Sequence, residues 1–195
     1  MKQCIKLVLV AASLFAASVA QADEAKPDFL SDARSVVMIF QKSLKQELMS
    51  AMQSGGPKKA VELCHSRAPA IAEEIGKKTG WEIGRTALKT RNEKNLPSEA
   101  EREVLENFEQ RKEKGESIDK LEWWQKQDNT IAYMKAIPMS GMCASCHGSN
   151  VRPSLKQHIN QFYPHDMATG FKVGDIRGAF TLKRYLKGAK GSEAP

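Results

Sequence analysis

The chain has 195 residues, of which 41% are hydrophobic and 27% charged, and its formal net charge at pH 7 is +7. This length provides one domain with a proper core and excludes two full-sized ones. The basic surplus is spread over mixed-sign stretches without interleaved aromatic residues, which argues against nucleic-acid binding, and no apolar run after the N-terminus is long enough to cross a membrane.

The N-terminus has the organisation of a secretory signal peptide. Two lysines precede an apolar stretch over residues 7–19, and an A-x-A cleavage site ends at Ala22. Cys4 precedes the apolar stretch, so it cannot be the acylated cysteine of a lipoprotein. We therefore expect residues 1–22 to be removed and residues 23–195 to form a single periplasmic domain.

Two helices are predicted in the first part of this domain. Residues 28–53 carry apolar side chains at helical spacing, and a Ser-Gly-Gly sequence ends the pattern. A second helix, over residues 57–78, begins at a proline. Cys64 lies on its apolar stripe, whereas His65 is rotated away by about 100°. Pro69 predicts a bend shortly after Cys64.

The remainder of the chain predicts strands mixed with shorter helices. The expected elements are a strand over residues 81–86, a helix over 98–114 that opens with a capping box, a strand over 130–137, a helix over 153–162, and a strand or strand pair over 176–186. The fold class is therefore α+β. We expect N-terminal helices (28–79) packed on an antiparallel sheet formed within residues 80–195.

The run Cys143-Ala144-Ser145-Cys146-His147 is the most informative motif. C-x-x-C-H is the attachment site of a c-type haem, in which two thiols bond the haem vinyl groups and the histidine ligates the iron. A zinc site would need a second Cys/His pair nearby, and a thioredoxin-type dithiol does not need the histidine. With the signal peptide, the motif predicts one haem c, covalently bound through Cys143 and Cys146.

Cys64 is then an unpaired thiol in an oxidising compartment. From the residues alone, it is either a buried core residue or the sixth ligand of the haem iron. An open distal face is a third alternative. The competing side-chain ligands are Met134, Met139, Met142, Met167, His65, His158 and His165.

Four ordered segments, residues 62–72, 80–92, 143–148 and 174–180, resemble the signatures of a bacterial family of c-type haem proteins with a PAS-like fold, the Tll-like haem domain. Family members also occur as sensor domains of signalling proteins. In the family, the cysteine of the first signature is the axial partner of the C-x-x-C-H histidine. The resemblance therefore implies a PAS-like antiparallel sheet and places Cys64 opposite His147 on the iron.

Thiolate ligation stabilises ferric iron and lowers the reduction potential, so it suits a redox or small-ligand sensor or a low-potential electron carrier. We expect such a role and no enzymatic activity. An ordinary His/Met shuttle is the first alternative. A peroxidase is the second, with His65 as its acid-base group and Arg67 or Arg85 as the nearby arginine. Arg85 and Arg91, together with Lys89, fit better as partners of the haem propionates.

The expected partners follow from this function. Since the chain has no kinase or methyl-accepting region, sensing would pass to a separate redox or signalling protein in the periplasm. A small gas would be the ligand of a sensor, and a homodimer is left open. We expect no nucleic-acid partner and no transmembrane segment after signal cleavage.

Overall fold

The structure is a computed structural model that describes residues 28–186, so the predicted signal peptide lies outside the described residues. The helices are α1 (Asp28–Thr79), α2 (Glu99–Glu113), α3 (Ala144–His147) and α4 (Pro153–Phe162), and the strands are β1 (Glu82–Thr86), β2 (Glu122–Gln127), β3 (Thr130–Pro138) and β4 (Ile176–Tyr185). None of the helices within 28–186 combines the length and the apolar character that a membrane span needs.

Helix α1 consists of two arms that fold back on each other at Gly56, whose φ of 69° lies outside the helical region. The guanidinium of Arg67 contacts the Glu47 carboxylate at 3.3 Å, although twenty residues of straight helix would separate them by about 30 Å. The two arms thus correspond to the two predicted helices. Pro69 does not break the helix, because the backbone there keeps helical φ and ψ values.

The sheet has four antiparallel strands in the order β1-β4-β3-β2. The expected α+β arrangement of helices on an antiparallel sheet is confirmed. Residues 176–186, expected as a strand or strand pair, form the single strand β4, which lies between β1 and β3. Strand β2 was not predicted, and it joins β3 through a tight turn in which Asp128 has a φ of 51°.

Alternate side chains of the sheet pack on opposite sides. One face packs against α1, in a cluster formed by Leu30, Ala33, Val36, Val37, Phe40, Ile71, Ile75, Trp81, Ile131, Tyr133, Phe180 and Leu182. The other face packs against α2, with Val104, Leu105, Phe108, Leu121, Met134, Ala136, Ile176 and Ala179. A third cluster joins the second arm of α1 to α4, with Val61, Leu155, Ile159 and Tyr163. This last contact fixes the α1 arm that carries Cys64.

Candidate functional site

A large cavity opens between the second arm of α1, strand β1 and the loop that follows β3. Its volume of about 1390 Å³ exceeds the roughly 300–1,000 Å³ of ordinary small-molecule sites. The six residues predicted for the site all line it, namely Cys64, Arg85, Arg91, Cys143, Cys146 and His147. Residues separated by up to 83 positions in the chain are therefore brought to one chamber.

Cys143 and Cys146 lie in a compact turn at the cavity wall. A 3₁₀ turn (Gly141–Cys143) leads directly into α3, and both thiols are free and half-buried. Gly148 follows α3, and a Cβ at this position would lie 2.6 Å from the carbonyl oxygen of Ala144. A larger residue would push the chain away from α3, so glycine preserves the compact geometry that presents both thiols.

One ring nitrogen of His147 makes a hydrogen bond within the protein, and the other is free to bind a ligand. Its Nδ1–H donates a hydrogen bond to the carbonyl oxygen of Ala168, at 2.8 Å. This contact fixes the tautomer and leaves Nε2 with a lone pair, which is how metal-binding histidines are commonly oriented. Burial lowers the pKa of His147 well below its ordinary value, and the nearby Arg177 and Arg91 lower it further. The imidazole is thus neutral at pH 7 and suited to act as a ligand.

Cys64 lies on the second arm of α1 and lines the same cavity. Burial raises the pKa of its thiol, and the positive charge of Arg85 partly opposes this effect. His65 is exposed and lies outside the cavity lining, where its ring packs at 5.2 Å from that of Tyr163. The cavity thus has a thiol on the α1 wall and an imidazole with a free nitrogen at α3.

Three arginines bring positive charge to the cavity, and one of them, Arg177, was not predicted. Burial lowers the pKa of Arg85, and burial together with the other two arginines lowers the pKa of Arg177 to about 10. The Nε atoms of Arg91 and Arg177 are buried and have no hydrogen-bond partner among the described residues. Donors of this kind call for an anionic ligand. Arg177 belongs to segment 174–180, so its neighbourhood was recognised but its role was not.

Arg91 and Lys89 also have partners within the protein. Arg91 Nη2 donates to the carbonyl oxygen of Cys146 at 2.6 Å and to Asp166 at 3.1 Å. Lys89 Nζ donates to the carbonyl oxygen of Thr169. The sequence predicted both residues as ligand-binding cations, and it gave no signal for these internal contacts.

The alternative iron ligands are distributed unevenly. Among the four methionines weighed from the sequence, Met142 lines the cavity, whereas Met134 and Met139 are buried elsewhere and Met167 is exposed. Two further methionines that the sequence reasoning did not consider, Met49 and Met52, line the cavity from the first arm of α1. His158 and His165 lie outside the cavity lining, each within 4 Å of a glutamate, Glu62 and Glu93 respectively.

Comparisons with known proteins bear on the family and on the fold. A family model described as "Tll0287-like: Tll0287" matches residues 15–184. Among solved structures, the chain is similar to one described as "Crystal structure of the cyanobacterial heme-protein Tll0287", with a TM-score of 0.60 and 24% sequence identity. The match covers 87% of this chain and 100% of that chain, and at this identity it establishes likeness of fold alone. A search of curated proteins found no match.

Proposed function

Because the chain belongs to the Tll0287-like family, we propose that it is a mono-haem c-type protein of the periplasm that acts in redox or small-ligand sensing or in low-potential electron transfer. The family relative described in the comparison is called a heme-protein. The observation that carries the proposal is the convergence of Cys143, Cys146 and His147 on one cavity, with His147 Nε2 left free by the hydrogen bond to Ala168.

The residues that line the cavity fit a haem in three respects. The two thiols stand at the spacing that thioether attachment requires. The neutral imidazole of His147 would bind the iron. The buried Nε atoms of Arg91 and Arg177 have no partner among the residues described, and they suit the carboxylates of haem propionates. Arg85, which lines the same cavity, adds a third guanidinium for this purpose.

The bound group would supply a one-electron iron centre, and the chain would determine its ligands and environment. His147 would hold the iron through Nε2, while its Nδ1–H keeps the bond to Ala168 that makes the imidazole a stronger donor. Cys64 would be the second residue to hold the iron, as a thiolate. Burial raises the pKa of its free thiol, so the thiolate depends on contact with the metal for its stability.

Thiolate ligation supports a conditional site rather than a routine electron carrier. If a haem is bound, Cys64 would hold the ferric iron as a thiolate and would bind the reduced iron less firmly. Loss of this contact would open a position for a small molecule or change the packing of α1. Either consequence biases a two-state element, which is the basis of a sensor.

A His/Met electron shuttle is the second candidate, and the cavity lining gives it a specific basis. Thioethers of Met49, Met52 and Met142 line the same cavity as Cys64. A peroxidase is disfavoured, because His65 lies outside the cavity lining and Arg67 pairs with two glutamates rather than with a substrate site. We therefore propose a non-enzymatic role.

The location and partners belong to the same proposal. The signal peptide over residues 1–22 directs the chain to the periplasm, where haem c is attached. Its partner there would be a redox or signalling protein. A gas ligand and a homodimer are further alternatives that binding and sedimentation measurements on the holoprotein would distinguish.

Low-temperature EPR of the ferric holoprotein tests the proposed ligands. A low-spin signal with the narrow g-spread of thiolate ligation is expected, and it should be lost in Cys64→Ser. Met49→Leu, Met52→Leu and Met142→Leu are matched controls and should leave it unchanged. A low-spin signal with a wide g-spread that disappears in one methionine variant would support the His/Met electron shuttle. A high-spin signal from the wild-type protein would support the peroxidase hypothesis instead.

A further inference from the structure

Residues 166–171 form an irregular segment that lies directly behind His147. Its backbone is held on two sides. Met167 N donates to the carbonyl oxygen of Thr90, and Phe171 N donates to the carbonyl oxygen of His147. The ring of Phe171 also packs edge-on against the imidazole, with ring centroids 6.5 Å apart. The segment is therefore part of the wall that orients this histidine.

Asp166 joins this wall to the acceptor of the His147 hydrogen bond. The carboxylate oxygen Oδ1 of Asp166 accepts a hydrogen bond from Ala168 N at 2.9 Å. The carbonyl oxygen of Ala168 in turn accepts the hydrogen bond from His147 Nδ1. The other carboxylate oxygen, Oδ2, accepts from Arg91 Nη2 at 3.1 Å. Asp166 thus fixes the residue whose carbonyl determines the direction of the imidazole.

Arg91 contacts the backbone at both ends of the hydrogen bond made by His147, since its Nη2 also donates to the carbonyl oxygen of Ala168 at 3.5 Å. Its Nη2 also donates to the carbonyl oxygen of Cys146, at 2.6 Å, and this residue directly precedes His147. One nitrogen of Arg91 therefore ties the attachment helix α3 to the carboxylate that orients Ala168. The pair encloses His147 between two backbone anchors that are 22 residues apart, Cys146 and Ala168.

The burial of this ion pair suggests a role in positioning. The Asp166 side chain is 3% exposed and that of Arg91 is 12% exposed. Removing two charges from water is expensive, and buried pairs are often no more stabilising than apolar residues of similar size. Such pairs are retained in some proteins because they specify one arrangement. Here the arrangement specified is that of His147.

We propose that Arg91 and Asp166 are positioning residues that hold the His147 imidazole with Nδ1 on Ala168 and Nε2 toward the cavity. This inference rests on the proposed function, since it concerns the histidine assigned there as an iron ligand. It also changes the expected role of Arg91. Its Nη2 makes hydrogen bonds within the protein, and only its buried Nε is left to bind a ligand in the cavity.

The inference is tested on the ferric holoproteins of Arg91→Gln and Asp166→Asn. The decisive readout is the solvent-exchange rate of the hyperfine-shifted His147 Nδ1 proton in NMR spectra. Asp175→Asn is the matched control, because Asp175 also accepts from a backbone N–H and from a basic side chain, Lys112, but does not touch the Ala168 anchor. Exchange should accelerate at least about tenfold in both variants and remain unchanged in the control.

The reduction potential separates positioning from simple charge. Removing a positive charge (Arg91→Gln) and removing a negative charge (Asp166→Asn) should move the potential in opposite directions if charge alone matters. Opposite shifts with unchanged proton exchange would overturn the inference, as would exchange that accelerates equally in Asp175→Asn. Absence of covalent haem from the wild-type protein on a denaturing gel would instead refute the proposed function, so the two failures are distinguishable.

Discussion

Replacement of Arg177 by glutamine is expected to stabilise the haem-free protein and to destabilise the haem-bound protein. Burial and the neighbouring Arg91 and Arg85 lower the pKa of Arg177 from 12.5 to about 10. For a base, a lowered pKa means that the charged form is unfavourable in the folded state, and this destabilisation applies at every pH below about 10. The lowering corresponds to about 3 kcal/mol in the haem-free chain.

Two favourable contacts of Arg177 reduce the expected gain. Its Nη1 donates to the carbonyl oxygen of Lys89 at 3.2 Å, which is worth about 1 kcal/mol. Its guanidinium lies 5.2 Å from the centre of the Phe171 ring, which adds about 0.5–1 kcal/mol. The net stabilisation of the haem-free Arg177→Gln variant should therefore be about 1–2 kcal/mol, or a rise in Tm of roughly 2–8 °C.

In the haem-bound protein the sign should reverse, because a guanidinium beside a propionate makes a charge-assisted hydrogen bond worth roughly 1.5–3 kcal/mol. Urea unfolding of both forms measures the two effects. Arg102→Gln, at an exposed position on α2, is the matched control and should change neither form. Equal shifts in the two forms, or a less stable haem-free variant, would refute the reasoning.

Three further variants test individual contacts that stabilise the fold. The hydrogen bond from Arg34, with a further one from Tyr133, lowers the pKa of the Glu122 carboxyl to about 2 against the opposing effect of burial, so its stabilisation is present above the ordinary value of 4.5 and is lost as the pH falls toward 2. Glu122→Gln should therefore lose about 1–2 kcal/mol at pH 7, after allowance for solvent screening, and little at pH 2 in urea unfolding. Gly178→Ala should lower the Tm strongly, because a Cβ there would lie 2.4 Å from the Thr86 carbonyl oxygen. An unchanged Tm would show that β1 and β4 can move apart enough to accommodate the added methyl group. Ser98→Ala should cost about 1 kcal/mol by removing the α2 capping box, whereas a loss restricted to haem content would contradict this local explanation.

Local signals predicted most of the helices, because their determinants lie close together in the chain. The capping box at Ser98 gave the start of α2, and the Ser-Gly-Gly sequence marked the point where the two arms of α1 separate. Strand β2 was missed because it is an edge strand with mostly exposed side chains, so neither alternation nor a hydrophobic run marks it. Its turn has no glycine, although Asp128 takes a positive φ there.

From the sequence, the candidate site could be predicted only for those residues that belong to a recognisable motif. The C-x-x-C-H run and the leftover Cys64 identified groups whose chemical roles are distinctive. The contact between Arg91 and Asp166 spans 75 residues, and no sequence spacing encodes such a pairing. Arg177 was overlooked for the same reason, since its importance comes from burial beside two other arginines.

The position of β4 has a consequence for how the chain folds. This strand is central in the sheet, yet it is the last element of the described residues 28–186, and Glu82 in β1 pairs with Lys183 in β4. Until β4 is available, β1 has no strand partner and the sheet is limited to the β2–β3 hairpin. Such long-range pairing makes folding slow and dependent on a complete chain. The four-stranded sheet can therefore close only after residues 176–185 have been added to the chain, so the pairing of β1 with β4 is a late step in folding.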